Sequence, residues 1–188
     1  MLPELEAARY VRVDRLIDPE LATVLYEMFK LQHWRGEFAR DIQVPDAASF
    51  VHHAALDAVL VNTRARIEEA SGCRLVPTYA YGRLYLYGNE LKPHRDRPAC
   101  EVSASVQLGS DGGDPALWFE PGHRVELRPG DGVVYLGMEA SHWRERFEGA
   151  SHAQIFLHYV QEDGPHAEHR LDGRPHRFPP SSLSRPRS

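Results

Sequence analysis

The sequence predicts a mainly β domain, a sandwich or barrel, carrying helices at its amino-terminal side. Three observations predict it. Up to Gly72, apolar residues recur at helical spacing; beyond it, β-branched and aromatic runs alternate with glycine and proline turns; and those turns come at the short, regular intervals of packed antiparallel strands.

The first helix begins at Asp18-Pro19-Glu20, which supplies an N-cap, a proline at the first helical position and an early acid. Leu21, Val24, Leu25, Met28 and Leu31 follow on one face. A second, longer helix is expected from Asp46 to about Ala70, with Phe50, Val51, Ala54, Leu56, Val59, Leu60 and Ile67 as its apolar residues and Gly72 as its C-cap. Between the two, residues 33–46 read as a loop with room for one short strand. Strands are expected at 75–81, 83–87, 101–108, 116–120, 124–127, 132–136, 143–147 and 154–160. The turns Gly109-Ser110-Asp111-Gly112-Gly113, Glu120-Pro121-Gly122 and Pro129-Gly130-Asp131-Gly132 separate several of them. Residues 163–188 are rich in Pro, Ser, Arg and His and poor in apolar side chains, the composition of a flexible or loosely docked tail. The expected organisation is one domain over 1–162, with helical support to about residue 72 and a β core from 73 to 162.

Size and charge fit that organisation. A chain of 188 residues with 42% hydrophobic content builds one sizeable core. A net charge of -5 gives no general attraction to nucleic acid or to an anionic membrane. Cys73 and Cys100 lack the spacing of a zinc site or a disulfide framework, so both are expected as buried free thiols. The segment MLPELEAARY carries acids where a signal peptide needs bases, and no run approaches the ~20 apolar residues of a membrane span. The expectation is a soluble, cytoplasmic protein; its oligomeric state is not legible.

The chemistry is sought among histidine and aspartate in the β region. His94-Arg95-Asp96 sets two ligand-type side chains at i and i+2, which share one face of an extended strand. Together with one more histidine, such a pair forms the facial triad of a non-haem iron(II) site, which leaves three coordination positions open. With 11 histidines in the chain, the tripeptide alone carries little weight. Its setting carries more: Tyr85-Leu86-Tyr87-Gly88 and Lys92-Pro93 stand before it, and Pro129-Gly130-Asp131-Gly132, a buried run to Leu136, and Ser141-His142-Trp143-Arg144 stand after it.

In these pieces and their order, from about Tyr81 to Val160, the chain resembles the iron(II)/2-oxoglutarate-dependent oxygenases, in particular small bacterial members similar to the prolyl 4-hydroxylase type. The resemblance implies a distorted double-stranded β-helix, a jelly roll of two sheets with helices packed outside. It implies that His94, Asp96 and His142 ligate iron(II), that Tyr85 faces 2-oxoglutarate, and that O2 is the oxidant of a hydroxylation. Halogenation is disfavoured, because Asp96 stands where a halide would bind.

The sequence departs from the family at one place. Most members carry Arg or Lys about ten residues beyond the distal histidine, to pair with the far carboxylate of 2-oxoglutarate; here that position is His152. His152 and Gln154 share a strand face with His158, and a protonated His152 with Gln154 is one substitute. Arg144, two residues past His142, is the preferred cation, ahead of Arg83 and Arg97. Arg97 and Glu101 suggest polar, zwitterionic substrate contacts. The expected substrate is an amino acid, a peptide or protein side chain, or a small metabolite, and the acidic balance argues against nucleic acid. Two other readings stand beside the oxygenase. One is a cupin-like metal enzyme, which a fourth ligand from His152 or His158 would favour; the other is a non-catalytic binding module on the same scaffold.

Overall fold

A computed structural model describes residues 1–173. The helices are α1 (Pro3–Ala8), α2 (Pro19–Arg35) and α3 (Ala54–Ser71). The strands are β1 (Tyr10–Val13), β2 (Ala39–Arg40), β3 (Ala48–Val51), β4 (Leu75–Leu86), β5 (Leu91–His94), β6 (Val102–Asp111), β7 (Leu117–Phe119), β8 (His123–Val125), β9 (Gly132–Tyr135), β10 (His142–Arg144) and β11 (Ser151–Gln161). They form a seven-stranded antiparallel sheet, ordered β1-β9-β6-β11-β4-β3-β2, and a four-stranded sheet, ordered β5-β10-β7-β8. No helix among the described residues is long and apolar enough to cross a membrane.

Period-two alternation in the long strands of the larger sheet sorts two environments. One set, Ala80 and Leu84 of β4, Val102, Ala104 and Val106 of β6, and Ala153, Ile155 and Leu157 of β11, packs into the main core with Leu25, Phe29, Leu56 and Leu60 of the helices. The alternate set, Tyr79, Tyr81, Arg83 and Tyr85, then Ser103, Ser105 and Gln107, then His152, Gln154, Phe156 and His158, lies on the opposite face and is aromatic and polar. Gly82 lets α2 approach closely, since a Cβ there would sit 2.2 Å from Phe29 Cζ. Phe29 in turn stacks on Phe50 with ring centroids 4.2 Å apart.

Three differences from the sequence expectations have local causes. The second helix starts at Ala54, capped by the side chain of His53, and not near Asp46. Residues 48–51 form β3 instead, because Ser49-Phe50-Val51 finds a partner edge in Arg83-Gly82-Tyr81 of β4. The expected strands 75–81 and 83–87 are one strand, since Gly82 is paired on both sides and introduces no turn. A flexible tail is expected from residue 163, yet a 3-10 segment over Ala167–Gly173, kinked at Arg170, Leu171 and Asp172, docks against the fold, with Leu171 buried in the main core and Asp172 bonded to Arg97. The rest of that tail, 174–188, lies outside the described residues.

Candidate active site

His94 ends β5 and His142 opens β10, and the two are register partners across the smaller sheet. Their rings lie 4.3 Å apart. The Nδ1 of His94 is 2.9 Å from Lys92 O, and the Nδ1 of His142 is 2.9 Å from Ala140 O. A carbonyl only accepts, so each Nδ1 carries the proton and each Nε2 presents a lone pair. Both Nε2 atoms face Asp96 Oδ1, at 3.6 and 3.8 Å. Those spacings are long for hydrogen bonds and near the edges of a coordination shell with donors about 2.1 Å from an ion. Two converging imidazole nitrogens and a carboxylate suit a cation between them. The donor set therefore fits a divalent metal, and all three ligand atoms lie within 4.8 Å of one another.

The surroundings prepare these groups. Burial opposes charge on Asp96, but His94, His158 and His142 outweigh it and hold the carboxyl below its ordinary range. Burial also lowers the pKa of His142, which keeps it neutral and able to ligate. Ser103 Oγ approaches Asp96 Oδ2 at 3.4 Å, Cys100 O at 3.2 Å and His158 Nδ1 at 2.8 Å. Asp96 N donates to Gly137 O at 2.8 Å. A Cβ on Gly137 would lie 2.8 Å from Asp96 Oδ2 and 2.2 Å from Cys100 O, so only glycine lets the carboxylate lie against this turn.

A strip of unsatisfied polar atoms runs along β6 and β11 of the larger sheet and includes Arg144 of β10 in the smaller one. Among the described residues, seven buried side-chain polar atoms have no partner, and six belong to Ser105, Gln107, Arg144, His152, Gln154 and His158. Arg144 is 4% exposed. Its Nε donates to Gln154 Oε1 at 3.0 Å and its Nη1 donates to Pro115 O, while its Nη2 and the Nε2 of Gln154 remain open. The guanidinium lies 5.7 Å from the centre of the Tyr85 ring. Burial pulls its pKa down to about 10, so it is still charged at neutral pH, and no carboxylate pairs with it among the described residues. A buried cation with an open donor and no counter-ion is an anion site by its chemistry.

The remaining expected site residues fall as follows. Tyr85 is buried opposite His152, and its hydroxyl accepts from Arg83 Nη1 at 2.9 Å. The environment of His152 disfavours its protonated form. Burial and the neighbouring Arg144 push its pKa well down, and its Nδ1 lies 3.2 Å from Gly109 O, so its Nε2 is an acceptor and cannot bind an acid. Arg83, a lesser candidate, is satisfied: it forms a two-pronged pair with Asp41 at 2.7 and 2.9 Å and also bonds Gln43. Arg97 lines a cavity beside Asp96. Glu101 is not among the residues lining that cavity; its two oxygens accept from Gln161 N and Nε2, each at 2.8 Å. Neither His152 nor His158 joins the His94, Asp96, His142 cluster, although Asp96 belongs also to a second cluster with Cys100 and His158. Sequence reasoning missed Asp41, Ser103, Ser105 and Gln107. The serines and glutamine left a signal, since they alternate with Val102, Ala104 and Val106 in a strand too apolar to have a solvent face.

No protein-family model matches the sequence, and no curated protein matches it. Solved structures do share its architecture. A prolyl-4-hydroxylase from Pseudomonas putida has a TM-score of 0.65 at 20% identity, covering 84% of this chain and 95% of that one. A prolyl hydroxylase from Trichoplax adhaerens, solved with a hypoxia inducible factor oxygen degradation domain peptide fragment, has a TM-score of 0.65 at 12% identity, covering 85% and 86%. HygX from Streptomyces hygroscopicus, solved with nickel and 2-oxoglutarate, has a TM-score of 0.63 at 12% identity, covering 87% and 88%. The chain thus has the double-stranded β-helix fold that these oxygenases share.

Proposed function

We propose that this chain is an iron(II)- and 2-oxoglutarate-dependent oxygenase that uses O2 to hydroxylate an amino acid, a peptide or protein side chain, or a small metabolite. The observation that carries the reading is Arg144, a buried guanidinium with an open donor and no acidic partner among the described residues, two positions along β10 from His142. Two positions on a strand span about 7 Å, the scale of a five-carbon diacid held at the metal by one end and at Arg144 by the other. The fold of the neighbouring oxygenases, one of them solved with 2-oxoglutarate, supports the same reading.

In this reading His94 Nε2, His142 Nε2 and an Asp96 oxygen hold the metal on one side and leave the other open. Arg144 Nη2 and Gln154 Nε2 donate to the far carboxylate of the co-substrate, a charge-assisted contact made stronger by burial. Tyr85 walls that carboxylate, and neutral His152 packs beside it without opposing its charge. Ser103 fixes the second oxygen of Asp96. When bound, iron and 2-oxoglutarate would supply the oxidising power, coupling loss of CO2 and formation of succinate to insertion of one oxygen atom into a C–H bond. Cys73 and Cys100 are free and buried, which supports a reducing, cytoplasmic compartment.

Calorimetric titration of 2-oxoglutarate into zinc-loaded protein tests the assignment. Arg144→Gln is expected to weaken binding by about 10- to 100-fold, the scale of one charge-assisted hydrogen bond. Equal affinity in the variant would overturn the role given to Arg144.

A further inference from the structure

A cavity of about 640 Å³ adjoins Asp96, and Arg144 is not among its lining residues. Its floor is aromatic: Tyr79 and Tyr81 stack with ring centroids 6.2 Å apart, and His158 lies 4.5 Å from Tyr79. Its charges are unbalanced. Only two acidic residues line it, Asp41 and Asp96; the first is engaged by Arg83 and the second belongs to the metal triad. Against them stand Arg40, Arg95 and Arg97. Arg40 is exposed and has no acidic partner among the described residues. Arg95 reaches Glu120 only at 3.7 Å, with both side chains more than half exposed. Arg97 is held with its guanidinium 4.6 Å from the centre of the Tyr79 ring and one nitrogen 3.2 Å from Asp172, which fixes its direction. In a chain of net charge -5, this cationic rim is a local reversal.

A second feature is independent of the arginines. His158 is 3% exposed, lines the cavity, and has no partner at Nε2. In the tautomer that has the Ser103 proton on Asp96 Oδ2 or Cys100 O, His158 Nδ1 donates to Ser103 Oγ at 2.8 Å. Nε2 is then a bare acceptor, and it calls for an N–H or O–H on whatever fills the cavity.

Building on the oxygenase reading, we infer that the substrate is a small organic acid carrying an N–H or O–H group, of the N-acyl amino acid type, with its carboxylate on the arginine rim and its donor on His158 Nε2. The aromatic floor takes its apolar part, which leaves a C–H bond beside Asp96. Glu101 is turned away towards Gln161, and the acids nearest the rim, Asp172 and Glu120, face Arg97 and Arg95, so the cavity lining offers no spare carboxylate to favour a zwitterion.

Hippurate, which has a carboxylate, an amide N–H and an aromatic ring, is a suitable probe. Its binding is measured by calorimetry against hippuramide, which lacks the charge, and N-methylhippurate, which lacks the N–H. The full chain is used, loaded with zinc and with the co-substrate slot filled by an unreactive oxalyl analogue of 2-oxoglutarate, and again metal-free. Hippurate is expected to bind about tenfold more tightly than either analogue. The acid-over-amide ratio should shrink in Arg40→Gln and further in Arg40→Gln/Arg97→Gln, and at higher salt. Arg40 is exposed, so its single replacement keeps the fold even if the double variant does not. An acid-over-amide ratio near one, or a ratio unchanged in Arg40→Gln, overturns the inference. Zinc titration of the same samples reads the His94, Asp96, His142 site separately. Failure to bind zinc contradicts the oxygenase reading, while the metal-free ratio still decides the cavity.

Discussion

His94 and His142 are register partners across β5 and β10, and each is oriented by a carbonyl two residues earlier in its own chain segment, Lys92 O and Ala140 O. Their Nε2 atoms are thereby aimed by backbone alone, which resists disturbance by surface substitutions. Asp96 depends on side-chain support from Ser103, and that difference makes the triad testable piece by piece.

Removing Ser103 should loosen Asp96 without touching its charge. Ser103→Ala is expected to weaken metal binding by about 10-fold, the low end for loss of an outer partner of a ligand. Asp96→Ala should abolish it. Titration with cobalt(II), followed by its absorption, measures both; unchanged affinity in Ser103→Ala would remove that residue from the account.

Arg144 is held at a cost when the slot beside it is empty. Replacing a buried, unpaired cation by a neutral side chain of similar length should leave the ligand-free protein as stable or more stable. Thermal unfolding of Arg144→Gln should therefore show a midpoint at or above wild type, and wild type alone should gain strongly on adding millimolar 2-oxoglutarate. A large loss of stability in the ligand-free variant would make Arg144 a structural residue.

Arg83 and Asp41 make the opposite case, since both side chains are almost fully buried and joined by two hydrogen bonds. Asp41 also caps the loop through Gln43 N and Val44 N, each at 2.9 Å. Asp41→Asn leaves Arg83 with a buried, uncompensated charge and is expected to cost about 3 kcal/mol or more in urea unfolding. A cost below about 1 kcal/mol would mean that water reaches the pair.

The pH dependence of stability follows from His152. Burial and Arg144 push its folded pKa well below the ordinary 6.5. Below about pH 6.5 the unfolded chain takes up a proton there that the folded chain refuses, so stability present above that pH is lost as the pH falls. His152→Asn should reduce the slope of unfolding free energy between pH 6 and 5 by up to about 1.4 kcal/mol per pH unit. An unchanged slope would show that His152 titrates in the fold as it does in the unfolded chain.

Much of this was legible in sequence because it follows from local chemistry. Asp18 starts α2 through its capping side chain and Gly72 ends α3 through its left-handed backbone. His94, Asp96 and His142 do converge, but β5 ends at His94, so Asp96 is placed by the segment beyond the strand, through its N–H bonded to Gly137 O, and not by strand alternation as its i, i+2 spacing suggests. The helix expected from Asp46 failed at Phe50 and Val51, where pairing with β4 outweighs helical spacing, and no local signal records that edge. Arg144 stood out as a cation near the distal histidine, yet its isolation from acids is a three-dimensional fact. The lowered pKa of His152 likewise depends on its burial and on Arg144, which only the folded sheets bring to it.

The most direct measurement is succinate formed from 2-oxoglutarate by anaerobically purified protein given iron(II) and then O2, compared with Asp96→Ala. The account predicts turnover in wild type, even slow turnover without substrate, and none in the variant. An absence of succinate from iron-loaded wild type, with and without carboxylate substrates, would contradict it.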